Sequence, residues 1–83
     1  MSDQSRVTLR QLEVLAAIKT FVAAHGYPPT HRELRTLLKV SSTNTVVCLL
    51  AALTLKGCLL ITPSASRGMK ITEAGHTLLG GTP

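Results

Sequence analysis

Residues 27–46 read YPPTHRELRTLLKVSSTNTV, and the fold turns on them. Tyr27-Pro28-Pro29 cannot lie inside a helix, because proline lacks the N–H and clashes with the preceding turn. Thr30 and Glu33 then have the T-x-x-E spacing of a capping box, in which two backbone donors of a helix start are satisfied reciprocally. Leu34, Leu37 and Leu38 supply a short apolar stripe, so a helix is predicted from Thr30 to about Lys39. Val40 to Asn44 is rich in residues that cap or break helices. Ser42 or Thr43 caps a third helix that runs to Lys56, with Gly57 as its stop. A short helix, a tight turn and a second helix make a helix-turn-helix.

Upstream, Thr8 and Gln11 form another capping box, and Gly26 follows the helix they open. Leu12, Leu15, Ile18 or Lys19, and Val22 follow at helical spacing and are its expected stripe over about 8–25. Downstream, Cys58–Thr62 and Met69–Thr72 are β-prone, with Pro63–Gly68 as the loop between them. Thr72 caps a short last helix through Leu79, which Gly75 weakens. The expected fold is mainly α with a small β-hairpin, a three-helix winged helix-turn-helix. The expected organisation is a flexible lead over 1–7, one domain over 8–79 and a tail over 80–83.

The chain has 83 residues and a net charge of +5, so one small domain is expected. Between Glu33 and Glu73 there is no acidic residue, while Arg35, Lys39, Lys56, Arg67 and Lys70 fall in that stretch. Such a segment suits a surface that faces phosphates. No acid pair, glycine-rich phosphate loop or activated nucleophile stands out, so no enzyme and no cofactor are expected. His25, His31 and His76, and Cys48 with Cys58, match no metal spacing. The start MSDQSR has no apolar secretory core. The apolar stretch 45–62 is interrupted by Lys56-Gly57, so no membrane span is expected either. A cytoplasmic chain with free thiols follows.

Three segments carry a family likeness: TLRQLEVLAAIKTFVAAHGYPPTHREL over 8–34, VSSTNTV over 40–46, and LKG (55–57) with the SRG of 66–68 and Ile71. Together, over about residues 8–72, they resemble the DNA-binding domain of the LexA-type SOS repressors. The resemblance implies a dimeric reader of a palindromic operator in double-stranded DNA. It implies that helix 3 lies in the major groove, with Ser42, Asn44 and Thr45 at the bases, then Val47 and Cys48. It also implies that Arg67 serves the wing. LexA repressors carry a self-cleaving peptidase domain as well. No such segment is present in these 83 residues, so the expectation is a stand-alone repressor without self-cleavage.

The residues support part of this on their own chemistry. Ser42 and Thr43 sit at a helix N-terminus, where free N–H groups suit a phosphate. Asn44 has the donor and acceptor to pair with adenine, and Thr45 has a methyl for thymine. Arg67 suits a phosphate or a narrow minor groove. His31, Arg32, Arg35 and Lys70 are candidates for the DNA backbone. Further along helix 3 the pattern changes. Val46, Leu50 and Leu53 make its core face, with Leu49 at the margin. The other face reads Val47, Cys48, Ala51, Thr54 and Leu55. An apolar surface of this kind suits a protein contact as well. The alternative is therefore a LexA-like fold whose Val47, Cys48, Ala51 and Leu55 bind a partner protein or a second copy.

Overall fold

A computed structural model describes residues 7–62 and 67–80. The chain runs α1 (Leu9–His25), α2 (His31–Leu38), α3 (Thr43–Leu55), β1 (Leu59–Ile61), β2 (Met69–Ile71) and α4 (Glu73–Leu78). This is the winged helix-turn-helix expected from the sequence. Residues 1–6 of the lead, 63–66 of the wing loop and 81–83 of the tail lie outside the described residues.

Both capping boxes form. Thr8 Oγ1 accepts from the Gln11 N–H at 3.1 Å, and Gln11 Oε1 accepts from the Thr8 N–H at 3.0 Å. Thr30 and Glu33 repeat the pattern at 3.1 and 2.9 Å. Each satisfies donors that a helix start otherwise leaves unpaired. Helix α1 stops at Gly26, whose φ of 82° is the left-handed conformation open to glycine. Helix α2 stops at Lys39 in the same conformation, with φ 59° and no glycine to ease it. The chain then turns in four residues, and α2 and α3 meet at 99°. That angle is typical of a helix-turn-helix. Ser42 caps α3, its Oγ accepting from the Asn44 N–H at 3.2 Å.

The core is aliphatic. Val14, Leu15 and Ile18 of α1 meet Leu34 and Leu38 of α2, and Val46, Leu50 and Leu53 of α3. The wing closes it with Leu59, Met69 and Ile71. Two expected stripes are corrected. On α1 the buried line is Gln11, Val14, Leu15 and Ile18, while Leu12 is half-buried and Val22 exposed. The reason is that α1 is apolar on several sides, so its pattern leaves the inward face ambiguous. On α2, Leu34 and Leu38 are buried but Leu37 is exposed.

Strands β1 and β2 are antiparallel, with Leu59 opposite Ile71, Leu60 opposite Lys70 and Ile61 opposite Met69. Alternation along a strand therefore turns Leu60 and Lys70 outward. Thr72 caps α4, its Oγ1 accepting from the Gly75 N–H at 3.2 Å and donating to the Gly57 carbonyl at 2.7 Å. Gly75 is buried against the wing. A Cβ there would press into the Cys58 carbonyl oxygen and lie 2.7 Å from Ile71 Cγ2. The residue that reads as a weak point in α4 is what lets α4 pack.

Candidate nucleic-acid interface

The exposed surface of α3 has two parts. Its tip is polar: Ser42, Thr43, Asn44 and Thr45 are all exposed. Because Ser42 takes the Asn44 N–H and α3 turns away from α2, this tip stands clear of the core. Beyond it, Val47 is 45% exposed, and Cys48 and Ala51 are exposed too. Thr54 is exposed, but its hydroxyl donates to the Leu50 carbonyl at 2.8 Å. Leu55, at the end, is 89% exposed. Val46, Leu50 and Leu53 are buried, as their spacing requires.

Helix α2 contributes His31 and Arg32, both exposed at its first turn, and Arg35, half-buried. Lys39 is exposed in the turn before α3. Lys70 is exposed on β2. Lys56 is oriented inward: its Nζ donates to Gln11 Oε1 at 2.8 Å, joining the end of α3 to the start of α1. This explains why Gln11 is buried, since its side chain serves the cap and Lys56 at once.

Arg67 departs from the expectation of a free phosphate donor. Its Nη1 donates to Glu33 Oε1 at 2.8 Å and to the Pro28 carbonyl at 2.9 Å, and its Nη2 donates to Glu33 Oε2 at 3.0 Å. The guanidinium also lies over the Tyr27 ring, 4.4 Å from its centre. Three of the five guanidinium N–H donors are thus engaged within the domain. A planar fork fits a carboxylate with two parallel bonds, which is why Arg67 turns inward. The bond from Arg67, with that from the Thr30 N–H, pulls the Glu33 carboxyl down from the usual 4.5 to about 2. The sequence alone does not single out Glu33, Tyr27 and Pro28 as partners of Arg67. Its capping position accounts for Glu33 in sequence; the signal for a second role is that it is the one acid of α2 and α3.

Among the described residues no group of His, Cys, Asp or Glu is placed to hold a metal ion. His25 packs in an aromatic group, its ring 4.2 Å from Phe21 and 5.7 Å from Tyr27. Cys48 and Cys58 are not disulfide-bonded; Cys48 is exposed and Cys58 buried. No single described helix is long and apolar enough to cross a membrane.

A family model described as the LexA DNA binding domain matches residues 4–68. The chain belongs to the LexA DNA-binding domain family. It is 46% identical over 76 residues to the LexA repressor of Limosilactobacillus fermentum, covering 92% of this chain and 36% of that protein. It is 47% identical over 75 residues to the LexA repressor of Anaeromyxobacter dehalogenans, covering 90% and 33%. It is 41% identical over 81 residues to that of Shewanella baltica, covering 89% and 39%. The chain thus spans 33–39% of the length of these LexA repressors. The matched segment holds α1 to α3, β1 and Arg67.

Proposed function

We propose that this LexA-family domain binds double-stranded DNA sequence-specifically and regulates transcription as an SOS-type repressor. The observation that supports this best is the exposed, acid-free tip of α3, held at 99° to α2. In this reading α3 enters the major groove and Ser42 and Thr43 meet a phosphate at the helix start. Asn44 pairs with an adenine edge and Thr45 touches a thymine methyl. His31, Arg32 and Arg35 contact the flanking backbone from α2, and Lys70 does so from the wing. Two copies read the two halves of a palindrome. Arg67 serves indirectly, by fixing the wing to α2 through Glu33.

Selection of bound duplexes from a random pool, with Asn44→Ala beside the parent, tests the base contact. Loss of a bidentate contact costs about 1–3 kcal/mol of discrimination, so preference relaxes at one base pair of each half-site. An unchanged sequence preference in the variant overturns the role of Asn44.

A second reading has one observation in its favour: the exposure of Leu55 at 89%, beyond an already apolar strip. Burying such a side chain stabilises an association by roughly 1.5–3 kcal/mol. In this reading Val47, Cys48, Ala51 and Leu55 meet a partner protein or a second copy. The mass in solution, with Leu55→Glu as the comparison, separates it from the first: a monomer unchanged by the substitution speaks against self-association.

A further inference from the structure

Asn44, Cys48, Ala51 and Leu55 follow one another at i, i+4, i+7 and i+11, which places them on one line along α3. The line is opposite the buried face of Val46, Leu50 and Leu53. Val47 flanks it, 45% exposed. From Asn44 to Ala51 the helix rises about 10 Å, close to three base-pair steps. Apart from Asn44 at its start, the line offers a groove almost no hydrogen-bonding capacity, since Val and Ala have none and a thiol is a weak donor.

The major groove presents one apolar group, the 5-methyl of thymine. Any base pair under Val47 or Cys48 loses water from its polar groove edge, and a G·C pair gains no apolar contact in return. An A·T pair gains the methyl contact. The first side chains of the strip are small, which lets the helix backbone come close to the base edges. Residues 34–72 contain no carboxylate, so this surface does not repel phosphates. Charge and size together favour a duplex as the occupant of this part of the strip.

We propose that Val47 and Cys48 are specificity-determining residues that read thymine methyl groups, so that the half-site continues from the Asn44 adenine into A·T pairs. This rests on the DNA-binding reading and adds to it the chemical class of the site read. Asn44 supplies the polar contact that sets the register. Val47 and Cys48 supply methyl contacts in the next turn, and Leu55 falls beyond the contacted steps.

The probe is a duplex enriched from a random pool by the whole chain, with the register marked by the base pair at which Asn44→Ala relaxes preference. Affinity is measured by fluorescence anisotropy for that duplex and for a copy with deoxyuridine only at the thymines under Val47 and Cys48, counted from the register mark. Deoxyuridine removes only the methyl and keeps every hydrogen-bonding group. The expected result is about fourfold weaker binding per methyl removed. Deoxyuridine placed outside the half-site leaves affinity unchanged. In the V47S C48S double variant, which carries no methyl at either position, the difference between the two duplexes falls below about twofold. Equal affinity for both duplexes overturns the methyl reading and leaves DNA binding standing. An undiminished difference in the variant removes Val47 and Cys48 from the role. Failure to enrich any duplex at low salt, with a solution mass that the variant changes, assigns the strip to a protein contact and overturns both readings.

Discussion

Arg67 grips Glu33 with two parallel N–H···O bonds of 2.8 and 3.0 Å, joining the wing to the first turn of α2 across 34 positions of sequence. The same Glu33 carboxylate closes the α2 capping box through the Thr30 N–H at 2.9 Å. One acidic side chain therefore secures a helix start and the base of the wing together.

This arrangement makes stability depend on pH in a defined window. The Arg67 bonds, with that from Thr30, lower the folded pKa of Glu33 to about 2 from the usual 4.5. A depressed carboxyl pKa contributes stability that is complete above about 4.5 and lost as pH falls toward 2. Glu33→Gln keeps an acceptor for the Thr30 cap but removes the charge. Thermal melts should place this variant below the parent at pH 6 and bring the two together between pH 4 and 2. A gap that stays constant across that range contradicts the ion-pair account.

Engagement of Arg67 within the domain predicts an unusual salt response. Each phosphate neutralised contributes about 0.9 to the slope of log affinity against log salt. Arg32→Gln, at an exposed position of α2, should flatten that slope by about this amount. Arg67→Gln should weaken binding while leaving the slope nearly unchanged. A slope reduced by about 0.9 in Arg67→Gln would instead mean that the guanidinium leaves Glu33 for a phosphate.

Two leucines five positions apart on α3 should behave oppositely. Leu50 is 1% exposed and Leu55 is 89% exposed. Leu50→Ala should cost about 2–5 kcal/mol, from lost burial and the cavity left behind. Leu55→Ala should stay within about 0.5 kcal/mol. Urea denaturation of both variants checks this, and similar costs would mean that α3 is rotated from the orientation described.

Gly75 provides a test of the wing's support. A methyl added there meets the Cys58 carbonyl and Ile71 Cγ2, so Gly75→Ala should destabilise by about 1–3 kcal/mol despite alanine's higher helix propensity. For a domain of this size that corresponds to a fall of roughly 4–8 °C in Tm for each kcal/mol. A stabilised Gly75→Ala would show that α4 does not pack on the wing.

Much of this fold is legible in the sequence because its signals are local. Thr8-Gln11 and Thr30-Glu33 state their caps within four residues, and Pro28-Pro29 with Gly26 fixes the break between α1 and α2. The face of α3 is legible too, since Val46, Leu50 and Leu53 recur at one helical spacing. What stays hidden depends on distant partners. Arg67 reads as a free wing cation because Glu33 and Tyr27 are far away in sequence. Gly75 reads as a weak helix residue until the Cys58 carbonyl is seen against it. On α1, Leu12 and Val22 fit a helical stripe as well as Val14 does, and only packing separates them. The polar tip of α3 is legible as a candidate for base contact. Its apolar continuation has no single partner written in the sequence.

Everything proposed for this domain depends on its binding duplex DNA through the tip of α3. The most direct measurement is a titration of a fluorescent duplex, enriched from a random pool, at 50 and 200 mM salt. Tight binding is expected at the lower concentration and a fall of about a thousandfold at the higher, as about six phosphate contacts, from Arg32, Arg35 and Lys70 of two copies, would require. Asn44→Ala is expected to weaken binding to that duplex more than to unrelated DNA. Absence of binding at 50 mM salt by a folded protein would contradict DNA recognition by the tip of α3.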